Sequence, residues 1–262
     1  PIHRNDCAKQ VQLNSSTGSK TMITDAVFEQ VNLRLSNMFG IELKAVPTYM
    51  LDNKHLPKKC KDRYYALNCL DREDDDDDMD GDDNHHRNIG LHSKMLHSVH
   101  TSSAMEKGLL MVVLALTYCK GESISDGSRW ILDHDLYSLL HQLDENIPAQ
   151  PPNGSSANSH RRNHTNQTTP NVDAWLQKFV DVDYLIKVKV TGSPYWEELF
   201  PNANDITSYV YSMGPRAAIE VGRKQVIYFC AEILDEEPDP TMLAELSQTQ
   251  HTNDEEDEPM TA

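Results

Sequence analysis

The acidic segment at residues 71–102 constrains the fold of this chain more than any other feature, because it cannot pack into a core. Its first twenty residues, DREDDDDDMDGDDNHHRNIG, hold ten acidic and two basic side chains. Carboxylates at this density repel one another and bury too little apolar surface to offset the entropy lost on folding. The sequence therefore predicts a disordered, His-rich linker between a folded block at 1–70 and a second one at 103–234.

The C-terminal end has a similar composition. Residues 231–262 contain eleven acidic and no basic side chains, so we expect 235–262 to form a disordered acidic tail. The chain has a formal charge of −17, and the two acidic stretches account for all of it, since the other 210 residues carry +2. The net charge therefore does not exclude nucleic acid as a partner.

Hydropathy and the spacing of the cysteines indicate in which cellular compartment the chain is expected. The longest apolar run, residues 108–118, has 11 residues, against the roughly 20 that cross a bilayer. It predicts a buried helix and no membrane association. The five cysteines are scattered without a CxxC pair, which favours reduced thiols in the cytosol or nucleus over a disulfide framework.

Hydrophobic spacing predicts the elements of both blocks. The first block is expected to contain a helix at 25–39 that stops at Gly40, an extended piece at 41–43 and a strand at 64–70. The second is expected to contain helices at 104–119, from 125, from 170 and at 215–234, a β-hairpin of 184–190 with 207–213, and a polar insertion at 149–169. The helix from 125 carries Trp130, Ile131, Leu136, Leu139 and Leu140 and is expected to have a break in its middle. Three helices followed by two strands describe a winged helix. We therefore predict a mainly helical α+β chain with two winged-helix domains in tandem, the first incomplete.

Catalytic and metal-binding patterns are absent from the sequence. The acidic run places Asp76, Asp78 and Asp80 as in a calcium loop, but Arg87 stands where a bidentate glutamate is required. His92, His97 and His100 lack the paired spacing of a zinc site. No GxSxG, GxxxxGK, GxGxxG or HExxH motif occurs. We expect no catalytic residue, no metal and no cofactor.

Basic residues give a stronger indication of function. A first cluster lies between Lys54 and Arg63, before the predicted strand. Lys187 and Lys189 lie two positions apart in a predicted strand, so their side chains share a face. Lysines and arginines on a winged-helix surface can contact phosphates, which gives salt-sensitive, sequence-independent DNA binding. The alternative is an ordinary solvent face of an amphipathic strand. The candidate DNA contacts of the second block are Lys187, Lys189, Arg216, Arg223 and Lys224.

Several stretches carry a resemblance to a known family. They are PIHRNDCAKQV (1–11), VNLRLSNMFGIELKAVP (31–47), RYYALNCL (63–70), KGLLMVVLALTYCKGESIS (107–125), FVDVDYLIKVKV (179–190) and YVYSMGPRAAIE (209–220), of which FGIEL and GPRA are the most specific. In their order and spacing the chain resembles the MAGE homology domain, and within that family the non-SMC element three subunits of the SMC five–six complex. About 200 of the 262 residues take part.

The resemblance implies a nuclear tandem winged-helix scaffold that is not an enzyme. Such subunits bridge a RING-type ubiquitin ligase (non-SMC element one) and a kleisin (non-SMC element four), and bind double-stranded DNA without sequence preference in DNA repair and recombination. The alternative within the family is an adaptor that activates a RING ubiquitin ligase toward protein substrates without binding DNA. The resemblance also places a helix with a di-leucine, used for the RING partner, before Pro1.

The family binds its kleisin in an apolar groove of the second winged helix. The resemblance assigns eight residues of this chain to that groove: Leu109, Val113, Leu116, Leu139, Leu140, Leu176, Phe179 and Leu185. Most of these positions are also expected to contribute to the core, and the sequence does not separate groove from core.

Overall fold

The computed structural model describes residues 2–3, 20–69, 104–125, 127–151, 172–201, 203 and 208–246. The linker at 71–102, with its calcium-like loop and histidines, and residues 152–169 of the insertion therefore lie outside the described residues, as do residues 247–262 of the tail. Helices and strands alternate along the described residues, in agreement with the α+β class. None of the described helices is long and apolar enough to cross a membrane.

The first block, as far as residue 69, contains a three-stranded antiparallel sheet beside one long helix. Its elements are β1 (Ile2–His3), α1 (Lys20–Phe39), β2 (Ile41–Ala45), α2 (Thr48–Leu51), α3 (Lys58–Lys61) and β3 (Arg63–Asn68). Both β1 and β2 pair with β3. Gly40 ends α1 at φ 61°, a left-handed conformation that suits glycine. Helix α1 covers the free edge of β2, because the Asn32 side chain exchanges two hydrogen bonds with the backbone of Leu43.

The second block, from residue 104, is built around a four-stranded antiparallel sheet. Its elements are α4 (Ala104–Lys120), β4 (Glu122–Ser123), β5 (Arg129–Leu132), α5 (Asp133–Leu143), α6 (Val172–Asp181), β6 (Leu185–Lys189), α7 (Pro194–Leu199), β7 (Tyr209–Met213), α8 (Pro215–Glu220) and α9 (Arg223–Leu234). The strand order in the sheet is β4-β5-β7-β6.

This second sheet is buried on both faces. Side chains alternate between the two sides of a strand, so Ile131 and Tyr211 lie in a core with α4, α5, α6 and α9. Trp130 and Val210 lie in another core, which also contains first-block residues. Those residues are Val46, Met50, Leu56, Cys60 and Tyr65. Because the two blocks share this core, they form one packed unit.

Residues 129–132 correct the sequence prediction. They form strand β5, although the pattern predicts that Trp130 and Ile131 lie in a helix that starts at residue 125. Gly127 turns the chain at φ 73°, β5 pairs with β7, and α5 begins only at Asp133. With both faces of the sheet covered, β5 lacks the apolar–polar alternation that identifies a half-exposed strand.

Two further elements differ from their predictions. Strands β6 and β7 are antiparallel partners, with Leu185 opposite Met213, and their connection contains helix α7, which the sequence pattern does not predict. The helix predicted at 215–234 consists of α8 and α9, because Gly222 at φ 81° interrupts it.

The prediction of a disordered tail from residue 235 is wrong for its first part. Residues 240–246 are helical, and Met242 is buried against the core, at 7 % exposure. Asp239 starts this helix, since its side chain accepts a hydrogen bond from the Thr241 N–H at 2.8 Å. Glu245 forms an ion pair with Arg129 of β5. The prediction was based on the average acidity of the tail and overlooked this short amphipathic helix.

Candidate partner and nucleic-acid surfaces

Asp183, in the turn between α6 and β6, joins the two blocks. Its φ of 68° is left-handed, a region that aspartate enters more readily than most residues, and it is 3 % exposed. Its carboxylate accepts hydrogen bonds from Tyr65 Oη at 3.1 Å and Cys60 Sγ at 3.5 Å. The Arg63 guanidinium completes the cluster by forming an ion pair with the same carboxylate. Three donors of the first block therefore converge on one acceptor of the second.

The buried carboxylate controls the protonation of its neighbours. Burial and the charge of Asp183 raise the pKa of Cys60 to about 11. The same two causes raise the pKa of Tyr65. Both groups therefore keep their protons at neutral pH and remain donors to Asp183, which makes the cluster a structural joint between the blocks.

A second buried ion pair follows β7, at the GPRA motif. The Arg216 Nε donates to Glu220 Oε1 at 2.7 Å, and Tyr184 Oη donates to Glu220 Oε2 at 2.5 Å. Burial raises the pKa of Glu220, and the Arg216 charge opposes that rise. Arg216 is 8 % exposed. The Arg216 guanidinium is therefore held by a buried carboxylate, and its contact with DNA stays a prediction.

Lys187 is half-buried. Its Nζ lies 4.2 Å from the Tyr209 ring centroid and 5.5 Å from that of Tyr211. Burial lowers the pKa of Lys187, and the charges of Asp133 and Asp173 oppose that change. A cation held beside two rings and near two carboxylates is poorly placed to meet a phosphate. Two tyrosine rings therefore lie beside Lys187 on β6, and its contact with DNA stays a prediction.

The remaining candidate DNA contacts are accessible to different degrees. Lys189 and Lys224 are exposed, whereas the Arg223 guanidinium lies 3.8 Å from the ring centroid of Tyr49 in α2. This cation–π contact packs the first turn of α9 against the first block. Lys224 is the next residue along α9, and the first basic cluster starts at Lys54, three residues after the end of α2.

The first basic cluster contains side chains that are held by protein partners and side chains that are exposed to solvent. Lys61 Nζ donates to the Leu51 carbonyl at 2.6 Å, and Arg63 pairs with Asp183. Lys54, Lys58 and Lys59 are exposed. The accessible positive charge of this cluster therefore lies in and before α3, at the surface.

The eight residues assigned to an apolar groove divide into core and surface. Five have at most 2 % exposure and belong to the main core, which makes them packing residues: Val113, Leu140, Leu176, Phe179 and Leu185. Their expected contribution to the core is seen here, and their assignment to a groove stays a prediction. Leu109, Leu116 and Leu139 are partly exposed and pack on the edge of that core.

One of these three residues lines a groove of about 410 Å³. Leu139 forms its α5 wall, and the opposite wall comes from the end of α7 and the residues after it. Apolar and charged groups share the lining, which includes Leu139, Leu199, Phe200, Pro201, Lys120 and Glu122. This combination suits an amphipathic peptide better than a small molecule.

An aromatic cluster at the joint between the blocks was not predicted. The His55 ring lies 4.4 Å from Trp196 and 5.2 Å from Tyr195, centroid to centroid. Trp196 in turn packs 4.7 Å from Trp130 of β5. Trp196 lies between the predicted strands of the hairpin, where no hydrophobic spacing indicates that its side chain enters a core.

The described residues contain no arrangement of three or more His, Cys, Asp or Glu side chains suited to a metal ion. Asp133, the first residue of an Asp-His-Asp run, accepts hydrogen bonds from the backbone N–H groups of Tyr209 and His134. Its role is to fix the start of α5 against β7.

Comparison with known proteins agrees with this architecture. The fold matches a solved chain from a structure titled "Nse1-Nse3-Nse4 complex", with a TM-score of 0.51 and 19 % identity, over 95 % of this chain and 87 % of that chain. At this identity the match concerns the fold. A search of curated protein sequences gives no match. The model of the MAGE homology domain matches residues 1–224, across both blocks, and the chain therefore belongs to the MAGE homology domain family.

Proposed function

We propose that this chain is a non-catalytic scaffold subunit of a chromosome-maintenance and DNA-repair complex of the SMC five–six type, acting in the nucleus. It bridges a RING ubiquitin ligase and a kleisin and contacts double-stranded DNA. The observation that carries the proposal is the likeness in fold to a chain of the Nse1-Nse3-Nse4 complex, which extends over 95 % of this chain. The matched region includes residues of both blocks.

In this proposal each block is a winged helix. Each contains an antiparallel sheet with helices packed beside it, and β6 with β7 forms the wing of the second block. The shared core and the Asp183 cluster fix one orientation between the two units. A scaffold that holds two partners at a set distance benefits from such a rigid joint.

The kleisin occupies the groove beside Leu139. The groove lies between α5 and the end of α7 and offers partly exposed leucines beside Lys120 and Glu122. An amphipathic kleisin helix places its apolar face on these leucines, and the charged side chains at the edge of that face lie beside Lys120 and Glu122.

Leu139→Glu should weaken kleisin binding by about 30-fold, the loss expected when a central apolar contact is removed. Leu139 is partly exposed, so the fold should tolerate the charge. The matched control is Leu143→Glu, on the same helix, 56 % exposed and outside the groove lining. Calorimetric titration with a kleisin fragment measures both, and equal losses for the two variants would contradict this placement.

The DNA surface consists of the exposed lysines of the first basic cluster together with Lys189 and Lys224. Arg223 stacks on Tyr49, so α9 begins against α2, and Lys54 follows the end of α2 by three residues. Phosphate contacts by such lysines give affinity that falls with salt and carries no sequence preference.

Lys58→Gln with Lys59→Gln should reduce the slope of log affinity against log salt by about 2, because each phosphate contact contributes about 0.9. Fluorescence anisotropy with a duplex at several salt concentrations measures this slope. The control Lys44→Gln with Lys120→Gln makes the same change in net charge; Lys44 already lies 3.5 Å from Glu42. A slope that falls equally in both variants would mean that net charge, and not this surface, governs binding.

Co-purification with candidate RING and kleisin subunits, followed by DNA binding of the assembly, tests the whole proposal. We expect a stable three-subunit complex with salt-sensitive affinity for duplex DNA. Failure to bind any kleisin would remove the proposal.

The second candidate is a MAGE-type adaptor that activates a RING ubiquitin ligase without binding DNA. The observation in its favour is the low exposure of two of the five candidate DNA contacts, since Arg216 is buried and Lys187 is half-buried. Ligase stimulation by a subunit that lacks both kleisin and DNA binding would favour this candidate.

A further inference from the structure

An exposed aromatic ring lies at the surface of the joint between the two blocks. Tyr195 of α7 stacks on His55 of the first block, with 5.2 Å between the ring centroids and 24° between the ring planes. The buried Trp196 packs edge-on against Tyr195, at 5.1 Å between centroids. Tyr195 is nevertheless 43 % exposed. Neighbours from both blocks therefore fix the orientation of a ring that faces solvent.

The loop that carries His55 brings positive charge to this ring. The buried Asn53 side chain accepts a hydrogen bond from the His55 N–H at 2.7 Å and so orders the loop. Three exposed lysines lie within four positions of His55, namely Lys54, Lys58 and Lys59. Four residues of chain span at most about 14 Å, so all three lysines lie near the residue on which the Tyr195 ring stacks.

This combination of groups matches the two parts of an unpaired nucleotide. Bases of any kind stack on an aromatic ring, and lysines contact the phosphates that link them. In a duplex the faces of the bases are covered by their neighbours, so a ring at the protein surface finds no base to stack on. We propose that Tyr195 is a stacking platform for a base of single-stranded DNA, whose phosphates contact the three lysines. The inference rests on the proposed function, because the same lysines form part of its DNA surface.

Fluorescence anisotropy of the full chain with a labelled thymidine oligonucleotide tests the platform. Tyr195→Ala should weaken this binding by about 10-fold, the loss expected for one stacked base, whereas Tyr195→Phe keeps the ring and should bind within about 2-fold of wild type. The matched control is Phe39→Ala, at the end of α1, since Phe39 is also an exposed aromatic residue. Unchanged affinity in Tyr195→Ala, or an equal loss in Phe39→Ala, would overturn the proposal.

Binding to a duplex separates this inference from the proposed function. Tyr195→Ala should leave duplex affinity unchanged, because the ring meets no unstacked base there. Lys58→Gln with Lys59→Gln should reduce the salt slope for the single strand by about 1.4, since each phosphate contact contributes about 0.7. If Tyr195→Ala weakened duplex and single-strand binding alike, the platform would be refuted and the proposed function would stand. Absence of all DNA binding by the wild-type chain would remove both.

The two glutamates that follow Tyr195 in α7 provide a test of opposite sign. Glu197 Oε1 accepts a hydrogen bond from the Gly192 N–H at 2.9 Å. Glu198 is exposed and lies three positions after Tyr195, on the same side of the helix, where its charge repels phosphates. Glu198→Gln should therefore strengthen single-strand binding by about 2-fold. Unchanged or weaker binding in this variant would place the strand away from α7 and contradict the proposal.

Ultraviolet cross-linking identifies the stacked residue directly. The oligonucleotide carries iodouracil in place of thymine, and a digest of the irradiated complex is examined by mass spectrometry. We expect the cross-linked base on the peptide that contains Tyr195, and its loss in Tyr195→Ala. Cross-links confined to other peptides would refute the stacking platform.

Discussion

Replacing Asp183 by alanine should reduce the free energy of unfolding by about 3 to 5 kcal/mol, the cost of leaving one member of a buried ion pair without its partner. The substitution removes the acceptor shared by Arg63, Tyr65 and Cys60. Arg63 then keeps its charge at 15 % side-chain exposure. Urea denaturation of the two proteins measures the difference.

The matched control is Asp181→Ala, two residues earlier. Asp181 is exposed and accepts a hydrogen bond only from Gln177 among the described contacts, so its loss should cost less than about 0.5 kcal/mol. A similar loss from both variants would indicate that this turn, and not the cluster, determines stability.

A double-mutant cycle identifies the cause of the loss. Arg63→Met with Asp183→Ala removes both charges, so the combined loss should be smaller than the sum of the single losses by at least about 1 kcal/mol. Additive losses would mean that Arg63 and Asp183 are not energetically coupled across the joint.

Local patterns could be predicted because their causes are local. The end of α1 follows from Gly40, and the start of α4 follows from a long apolar run after a polar one. The Asp183 cluster has no such signal, because its partners lie about 120 positions away in the sequence. An aspartate in a short loop between a helix and a strand is usually exposed, and only the packing of the first block against that loop buries it.

The exposure of the candidate basic residues depends on contacts that their charge alone does not reveal. Basic residues were assigned to a surface by charge, which holds for Lys189 and Lys224. It fails for Arg216, although Glu220 four residues later is the helical spacing of an ion pair and was a usable signal. It fails for Lys187 because the tyrosines that cover it lie on β7, a strand whose register the sequence did not define.

Gly214→Ala should reduce the free energy of unfolding by at least about 3 kcal/mol, at the upper end of the cost of overpacking a core. A Cβ at Gly214 would lie 2.3 Å from the Asp183 carbonyl oxygen and 2.8 Å from the Tyr184 carbonyl carbon. The atoms that would have to move are backbone atoms, held there by hydrogen bonds from the Gly214 and Arg216 N–H groups. Urea denaturation, as for Asp183, gives the measurement.

The backbone conformation does not explain this requirement for glycine, because φ at Gly214 is −88°, which alanine adopts freely. The cost at Gly214 is therefore steric. Gly108→Ala is the control, because it adds the same Cβ at a position without a steric clash. Gly108 lies inside α4, where an added Cβ meets no atom within 4 Å, so alanine there should stabilise the chain by about 0.5 to 1 kcal/mol. Changes of opposite sign in the free energy of unfolding would indicate that Gly214, the glycine of the GPRA motif, makes the close backbone contact that positions Asp183 against the first block. A neutral Gly214→Ala would contradict that contact.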